Sequence, residues 1–327
     1  MTTVPTPGPP SPQEVSRRLP RTDIPRADPV GRRAAEDRLR DWARHYRLTP
    51  HGEEWFQMDV GGDAYDLYPA ADEKIRDLSA RLNFWLTALD EIAENAVDDV
   101  SLGALNDQVI RVTAVLDDTA RVPSGNGFDA ALADLLRHAA TLLSPHQRSV
   151  LHDAMRALLA LWPWEGVHRA TGTWPTPDGY LVARRHLSAA WLVRTMAEPL
   201  NSIAITPRTP GYGRHLDLKR ATCTVMALQN DLASYSKEYR DTGAVPFSMP
   251  GTIMHHRGCD IAEALAATRR LLEAETAATT DLILAMLESS DREMRDYARD
   301  SAYVINFSNQ WFGKQERYRT SAEDGPN

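Results

Sequence analysis

The chain has 327 residues, of which 43% are hydrophobic and 25% are charged, as is ordinary for a globular protein. Its formal net charge is −8, and it contains no block of basic residues, which argues against binding to nucleic acid or to an anionic membrane surface. No run of about 18 apolar residues occurs, so insertion into a membrane is not expected.

Cysteine usage points to a reduced, intracellular protein. Only Cys223 and Cys259 are present, and their spacing predicts neither a disulfide framework nor a thiolate metal site. The N-terminus lacks the apolar core of a signal peptide. We therefore expect a soluble cytoplasmic protein, and a homodimer is compatible with these properties.

The chain opens with a proline-rich segment, with eight prolines in residues 1–30. We predict a disordered leader over 1–20, one folded domain over 21–320 and a disordered tail over 321–327. Within the domain, apolar residues recur every three or four positions, which is typical of amphipathic helices. The predicted helices cover residues 32–48, 71–97, 103–120, 128–143, 149–162, 177–203, 215–241, 260–289 and 291–312.

Local signals support these helices. Ser144-Pro145-His146-Gln147 provides a cap, an N1 proline and a glutamine at N3, and Asp260 with Glu263 forms a similar pattern. Two segments rich in turn-forming residues, 162–179 and 241–258, are predicted to be loops. Strand signals are nearly absent, so the sequence predicts a single all-α domain.

One predicted helix carries an unusual polar stripe. Asn230, Ser234 and Glu238 recur every four positions, which leaves each side chain only about 40° around the helix from the last, and Lys237 lies on the same stripe. Amide, hydroxyl and carboxylate oxygens suit a hard cation such as Mg²⁺, and a lysine beside them could meet a phosphate. The alternative is a solvated helix face with a Lys–Glu pair.

This stripe is part of the pattern N-D-x-x-S-x-x-x-E, which resembles the second metal motif of class I terpene synthases. Further segments resemble that family in the same order. "YPAADEKIRDLSARLNFWLTALDEIAE" is similar to the helix that leads into its aspartate-rich motif. "YLVARRHL" resembles the segment with the diphosphate-sensing arginine, and Arg184 lies 46 residues before Asn230. "WFGKQERY" ends in Arg317 and Tyr318, like the Arg-Tyr pair that closes over the diphosphate in this family.

The resemblance covers roughly residues 20–320 and implies an all-α class I terpenoid synthase bundle with a central active-site cavity. It also implies a terpene cyclase that binds three Mg²⁺ ions and ionises a linear prenyl diphosphate, either C15 farnesyl or C20 geranylgeranyl diphosphate. The implied site residues fall into three groups. The metal ligands would be Asp90, Glu94, Asn230, Ser234 and Glu238; the diphosphate partners Arg184, Lys237, Arg317 and Tyr318; and the cavity aromatics Phe84, Phe307 and Trp311.

The first motif departs from the family. Where Asp-Asp-x-x-Asp is common, this chain has Asp90-Glu91-Ile92-Ala93-Glu94. Asp90 and Glu94 share a helix face, whereas Glu91 is rotated by about 100°, so we expect Asp90 to be the principal ligand. Two rival functions remain: a non-catalytic protein that binds a prenyl diphosphate, and a prenyl-chain elongating enzyme. The latter is disfavoured because it carries two aspartate-rich motifs.

Three other features of the sequence resemble functional elements but are given no site role here. The family couples its arginine to ionisation through a kinked stretch of helix with a nearby glycine, and the corresponding Ser188 here has none. Asp98-Asp99 is interpreted as a solvated pair near a helix end. His255-His256 is interpreted as a surface pair because no third zinc ligand is evident.

Overall fold

The computed structural model describes residues 28–49, 60–94, 96, 98–118, 120 and 127–314. These residues form helices joined by short connections, and no strand occurs among them. None of the described helices combines the length and apolar character that a membrane span requires. The predicted leader and tail lie outside the described residues.

Chain contacts divide the described residues into two compact units. The first unit holds residues 28–173 and 192–206, and the second holds 174–191 and 207–314. Helices of the first unit are α1 Pro29–His45, α2 Val60–Leu67, α3 Glu73–Glu94, α4 Asp99–Asp117, α5 Phe128–Leu142 and α6 Pro145–Thr171. Helices of the second unit are α7 Pro177–Leu187, α9 Tyr212–Thr242, α10 Met249–Arg257, α11 Ile261–Leu287 and α12 Arg292–Lys314. Helix α8, Ala190–Leu200, begins in the second unit and continues in the first.

In the first unit, α3 packs against each of the other five helices that belong wholly to this unit. Its apolar residues lie on more than one side, which a helix surrounded by others requires. Trp85 is fully buried, and its indole N–H donates to the backbone carbonyl of Phe128 at 2.8 Å. This contact satisfies the one polar group of a large buried side chain and joins α3 to the start of α5.

In the second unit, α9 packs against α7, α10, α11 and α12. Its 31 residues end at Gly243, which adopts a left-handed conformation with φ 68° and caps the helix. A helix with this many neighbours must bury polar as well as apolar residues. The predicted polar stripe runs from the half-buried Asn230 through the buried Ser234 to the half-buried Glu238.

The structure corrects three predicted segments, namely two loops and one helix. The predicted loop 162–179 is helical as far as Thr171, because α6 continues through Pro163 and ends at Gly172 in the left-handed region. A proline inside a helix removes one hydrogen bond, and packing compensates for that loss here. A Cβ on Gly166 would lie 2.5 Å from Leu102 Cδ2, which shows how closely α6 approaches α4.

The other two corrections concern helix boundaries. The predicted helix 177–203 is broken into α7 and α8 at Ser188 and Ala189. The predicted loop 241–258 contains the nine-residue helix α10, which Ser248 caps by accepting from the N–H of Gly251 at 3.3 Å. The capping pattern of Ser144 and Gln147 is confirmed at the start of α6.

Gly251 offers a test of the packing around α10. A Cβ at this position would collide with the backbone carbonyl of Pro246 and would lie 2.6 Å from Trp174 Cη2. We therefore expect Gly251→Ala to lower the free energy of unfolding by about 1–3 kcal/mol, as overpacked sites do. The measurement is equilibrium unfolding in denaturant.

Gly213 is the matched control, because a Cβ there meets no atom within 4 Å on the surface of α9. Gly213→Ala should leave stability unchanged or raise it by about 0.5–1 kcal/mol, the usual difference between glycine and alanine in a helix. Equal stability of Gly251→Ala and the wild type would contradict the close approach.

Candidate active site

The polar stripe of α9 lies where the helix passes from the packed unit toward solvent. Asn230 and Glu238 are half-buried, whereas Ser234 is only 5% exposed. Lys237 forms an ion pair with Asp241 at 2.9 Å, so the Lys–Glu pair of the alternative interpretation is not formed between Lys237 and Glu238. The carboxylate of Glu238 makes no hydrogen bond or ion pair with the described residues.

Ser234 is the most informative member of the stripe. Its hydroxyl is buried and has no hydrogen-bond partner among the described residues. Two other hydroxyls on the same helix do find one: Thr224 donates to the carbonyl of Arg220 at 3.0 Å, and Thr242 donates to that of Glu238 at 2.8 Å. The buried hydroxyl of Thr222, like that of Ser234, has none among the described residues. A buried hydroxyl without a partner is rare and calls for an explanation.

Three oxygen types on consecutive turns fit a hard divalent cation, which takes carboxylate, amide and hydroxyl oxygens together with water or phosphate. Only one of the three is a carboxylate. Accordingly, the described residues contain no group of three His, Cys, Asp or Glu side chains arranged for a metal. The stripe can thus supply part of a coordination sphere, which water and a phosphate-bearing ligand would complete.

Arg184 lies against this stripe from the last turn of α7. Its Nη2 donates to Asn230 Oδ1 and its Nε donates to Asp231 Oδ1, each at 2.6 Å. The neighbouring Arg185 points elsewhere, because its Nε donates to Thr224 Oγ1 at 2.8 Å. The geometry therefore favours Arg184 over Arg185 as the predicted diphosphate-sensing arginine.

The chain breaks its helical path four residues after Arg184. Ser188 is the C-cap of α7, and Ala189 has φ 58°, in the left-handed region that residues other than glycine rarely adopt. The chain thus breaks the predicted continuous helix at this point without a glycine. Backbone strain of this kind clusters at functional sites, because only a well-determined surrounding can hold it.

Two titratable groups near the arginine and the stripe stay neutral at pH 7. Burial raises the pKa of Tyr235 to about 12, with smaller contributions from Tyr239 and Glu238. Burial also lowers the pKa of His186, and the charges of Arg185 and Lys219 lower it further. Positive charge in this part of the second unit therefore comes from arginine and lysine, which remain charged across the physiological range.

The acidic motif occupies the last turn of α3, which ends at Glu94. Asp90 and Glu91 are half-buried, and Glu94 is exposed. No basic residue lies in this turn, and the end of a helix carries a partial negative charge of its own. The carboxylates and the helix terminus thus create a negative potential that favours a cation.

Trp162 on α6 holds the leading carboxylate of this motif. Its indole Nε1 donates to Asp90 Oδ1 at 2.7 Å, and the side chain is 1% exposed. The indole N–H is the only polar group of this buried side chain, and Asp90 satisfies it. Because the indole is held by packing, this hydrogen bond restricts the rotation of the Asp90 carboxylate. We assigned Trp162 no role from the sequence, because helical spacing does not show which side chain of α6 faces α3.

The remaining predicted residues have the following places. Phe84 is 1% exposed, Phe307 is half-buried beside Tyr303 with ring centroids 6.3 Å apart, and Trp311 is half-buried beside Phe312 at 5.0 Å. Their role as cavity aromatics stays a prediction. Arg317 and Tyr318 lie outside the described residues.

The two features interpreted as surface pairs have structural roles. Asp98 is exposed and caps α4 by accepting from the N–H of Ser101 at 2.8 Å. His255 and His256 are exposed in the last turn of α10, and His256 Nε2 lies 2.7 Å from the carbonyl of Pro175. Neither pair takes part in a metal site formed by described residues.

Comparison with known proteins supports the same interpretation. Residues 81–278 match the family model described as "Terpene synthase family 2, C-terminal metal binding". The chain is 28% identical to labda-7,13(16),14-triene synthase of Streptomyces clavuligerus, over 87% of this chain and 83% of that protein. It is also 28% identical to (12E)-labda-8(17),12,14-triene synthase of Streptomyces cyslabdanicus, over 89% and 88%.

Solved structures agree on the fold. 2-Methylisoborneol synthase from Streptomyces coelicolor A3(2), determined with Mg²⁺ and 2-fluoroneryl diphosphate, is similar with a TM-score of 0.77 at 18% identity, covering 93% of this chain and 97% of that chain. The predicted family, all-α fold and enzyme class are confirmed, and a divalent metal cofactor is supported. The chain belongs to terpene synthase family 2, whose members have the class I terpenoid synthase fold.

Proposed function

We propose that this enzyme uses Mg²⁺ to ionise a prenyl diphosphate and converts the resulting carbocation into a terpene, releasing diphosphate. The observation that carries the proposal is the stripe of Asn230, Ser234 and Glu238, in which the buried serine hydroxyl has no partner among the described residues and Arg184 lies alongside. Such a set of oxygens beside a guanidinium suits a magnesium diphosphate better than it suits a purely structural role.

The reaction begins with heterolysis of the allylic carbon–oxygen bond, whose electron pair leaves with the diphosphate. When bound, Mg²⁺ would supply positive charge that offsets the negative charge developing on this leaving group. The carbocation is then attacked by a carbon–carbon double bond of the same chain, which closes a ring. Loss of a proton ends the sequence as a hydrocarbon, and capture of water followed by loss of a proton ends it as an alcohol.

In this proposal Asp90, Asn230, Ser234 and Glu238 hold the metal, and Glu94 contributes through water or not at all. The number of ions is three. Arg184 and Lys237 donate to the diphosphate, as do Arg317 and Tyr318. Preorganised donors of this kind stabilise developing charge without reorganising during the reaction, which is the main source of catalysis for such a step.

The remainder of the substrate needs an apolar surrounding that excludes water from the cation. Phe84, Phe307 and Trp311 are proposed to supply aromatic surface for it, since aromatic faces attract cations. Of the two predicted chain lengths, C20 is favoured over C15 because the two labdatriene synthases are named for products with a C20 skeleton.

The labdane skeleton also favours a second candidate substrate. It contains two fused rings, so an enzyme of this kind could start from a C20 diphosphate that is already bicyclic. The reaction would then consist of ionisation and loss of one proton, giving a bicyclic triene and diphosphate. Ionisation would use the same residues, and only the apolar part of the site would differ.

The decisive experiment compares substrates directly. We expect purified enzyme with Mg²⁺ to release diphosphate from linear C20 diphosphate or from a bicyclic C20 diphosphate faster than from C15, with a terpene detected by gas chromatography–mass spectrometry. Chelation of the metal and the variant Glu238→Gln should each lower the rate by at least about 100-fold, because the site has few protein ligands.

Binding of these diphosphates without release of diphosphate would overturn the proposal in favour of the non-catalytic binding protein. Formation of a longer prenyl diphosphate from a C5 unit would favour the elongating enzyme instead.

The acidic end of α3 allows a sharper prediction. Mg²⁺ tolerates little deviation from octahedral geometry, so neither an amide nor a longer carboxylate should replace the ligand at position 90. Asp90→Asn and Asp90→Glu should lower kcat by orders of magnitude, Glu91→Ala by less, and Glu94→Asp should be tolerated. Steady-state rates at saturating Mg²⁺ measure these effects. An active Asp90→Asn combined with an inactive Glu91→Ala would place the metal on the other side of α3.

We expect Trp162 to affect metal binding by orienting the carboxylate of Asp90. Trp162→Phe keeps an aromatic ring but removes the N–H that holds the carboxylate, so we expect the Mg²⁺ concentration for half-maximal rate to rise about tenfold, within the usual effect of groups that orient metal ligands. Trp164→Phe on the same helix is the matched control and should not change the Mg²⁺ dependence. An unchanged Mg²⁺ dependence in Trp162→Phe would show that the indole only fills space.

A further inference from the structure

Asp231, the second residue of the metal motif, is a buried carboxylate with three donors. It is 0% exposed and lies off the polar stripe. Its Oδ1 accepts from Arg184 Nε at 2.6 Å, and its Oδ2 accepts from the Tyr180 hydroxyl at 2.9 Å and from the Met249 N–H at 2.8 Å. Both oxygens are thus engaged by protein groups.

Burying a carboxylate is unfavourable unless an opposite charge and further donors compensate for the lost water. Arg184 supplies the charge, and the two neutral donors supply the remaining hydrogen bonds. Asp231 is fully buried, lies off the polar stripe and has both oxygens bound by protein donors, so we do not assign it as a metal ligand. A different role has to account for its place in the motif.

The effect on Arg184 is geometric. The guanidinium is planar and has five N–H groups, of which the bond to Asp231 and the bond to Asn230 engage two on adjacent nitrogens. Two contacts on different nitrogens fix the plane of the group, whereas one contact would let it turn. The orientation of the remaining N–H groups is therefore set by Asp231 together with Asn230.

The same carboxylate also holds the connection between α9 and α10. Met249 is the first residue of α10, and its N–H is one of the donors that a helix start leaves without an internal partner. The Tyr180 hydroxyl lies 3.3 Å from the carbonyl of Phe247 in that connection. Helices α7, α9 and α10 thus meet at one buried charge.

We propose that Asp231 is a positioning residue, which holds the guanidinium of Arg184 in the orientation that receives the departing diphosphate. The inference rests on the proposed function of Arg184 as a diphosphate donor. Asp231 itself touches neither metal nor substrate, and it acts by restraining the arginine.

The substitution Asp231→Asn separates this role from a general structural one. The amide keeps the size of the carboxylate but accepts through one oxygen only. Two donors converge on the Oδ2 position and one on the Oδ1 position, so the amide oxygen should face Tyr180 and Met249. The amide N–H groups then face Arg184 Nε, and the arginine loses its anchor.

The test measures kcat and KM for the substrate that the wild type accepts. We expect Asp231→Asn to lower kcat about 10- to 100-fold with KM changed less than threefold, as removal of a transition-state interaction does. Thr224→Val is the matched control, because it removes the acceptor that holds the neighbouring Arg185, and its kcat should stay within threefold of wild type. Arg184→Lys and the double variant complete a cycle.

If Asp231 acts through Arg184, the double variant should be no slower than the slower single variant, within threefold. Losses that multiply would overturn the proposal, because they would show an effect independent of the arginine. An Asp231→Asn enzyme with the wild-type kcat would overturn it as well.

A second measurement needs no turnover. In ¹⁵N spectra, the Arg184 Nε–H resonance, assigned by its loss in Arg184→Lys, should exchange with water at least tenfold more slowly than exposed arginine side chains. Exchange in wild type as fast as that of exposed arginines would overturn the proposal, even if Asp231→Asn does not fold. A slow resonance in a protein that turns over no diphosphate would refute the proposed function and leave the restraint on Arg184 standing.

Discussion

A carboxylate that is removed from water must be given partners, and this requirement organises the second unit around Asp231. Its three donors come from α7 and from the start of α10, so the charge can be buried only if both segments are correctly placed. The contact that compensates for burying this charge also fixes the position of Arg184. A proposed site residue is thereby held by the packed framework of the unit.

The polar stripe of α9 differs from Asp231, the residue after Asn230, in how its buried polar groups are satisfied. The carboxylate of Asp231 accepts from three protein donors, whereas the buried hydroxyl of Ser234 has no partner among the described residues. The first arrangement contributes to the free energy of folding, and the second gives up a hydrogen bond in the folded protein. Successive turns of one helix thus combine a structural anchor with the proposed metal ligands.

Much of this fold could be predicted from the sequence because local sequence patterns indicate where helices form. Apolar spacing and caps located most of the helices to within a few residues, and the spacing of Asn230, Ser234 and Glu238 indicated a shared face. Local sequence patterns do not indicate which helices contact each other. That Trp162 meets Asp90, or that Arg184 meets Asp231, depends on how separate helices pack, which local periodicity does not encode.

The errors in the predicted boundaries have the same origin. Pro163 and the glycines near it are local signals for a loop, yet α6 continues because its residues pack closely against α4. Residues 177–203 have the local properties of one helix, yet the chain leaves the helical path at Ala189. In each case the contacts of the folded protein outweighed a local preference of roughly 1–3 kcal/mol.

The left-handed residue after α7 has a mechanical consequence. Alanine is the best helix former, and holding it at φ 58° costs on the order of 1–2 kcal/mol relative to the right-handed form. A glycine in the same place would make a loose joint, since it accepts either hand with little bias. With alanine, the backbone beside Arg184 favours the right-handed form by this amount of free energy. The contacts around Ala189 must therefore keep opposing a return to a continuous helix.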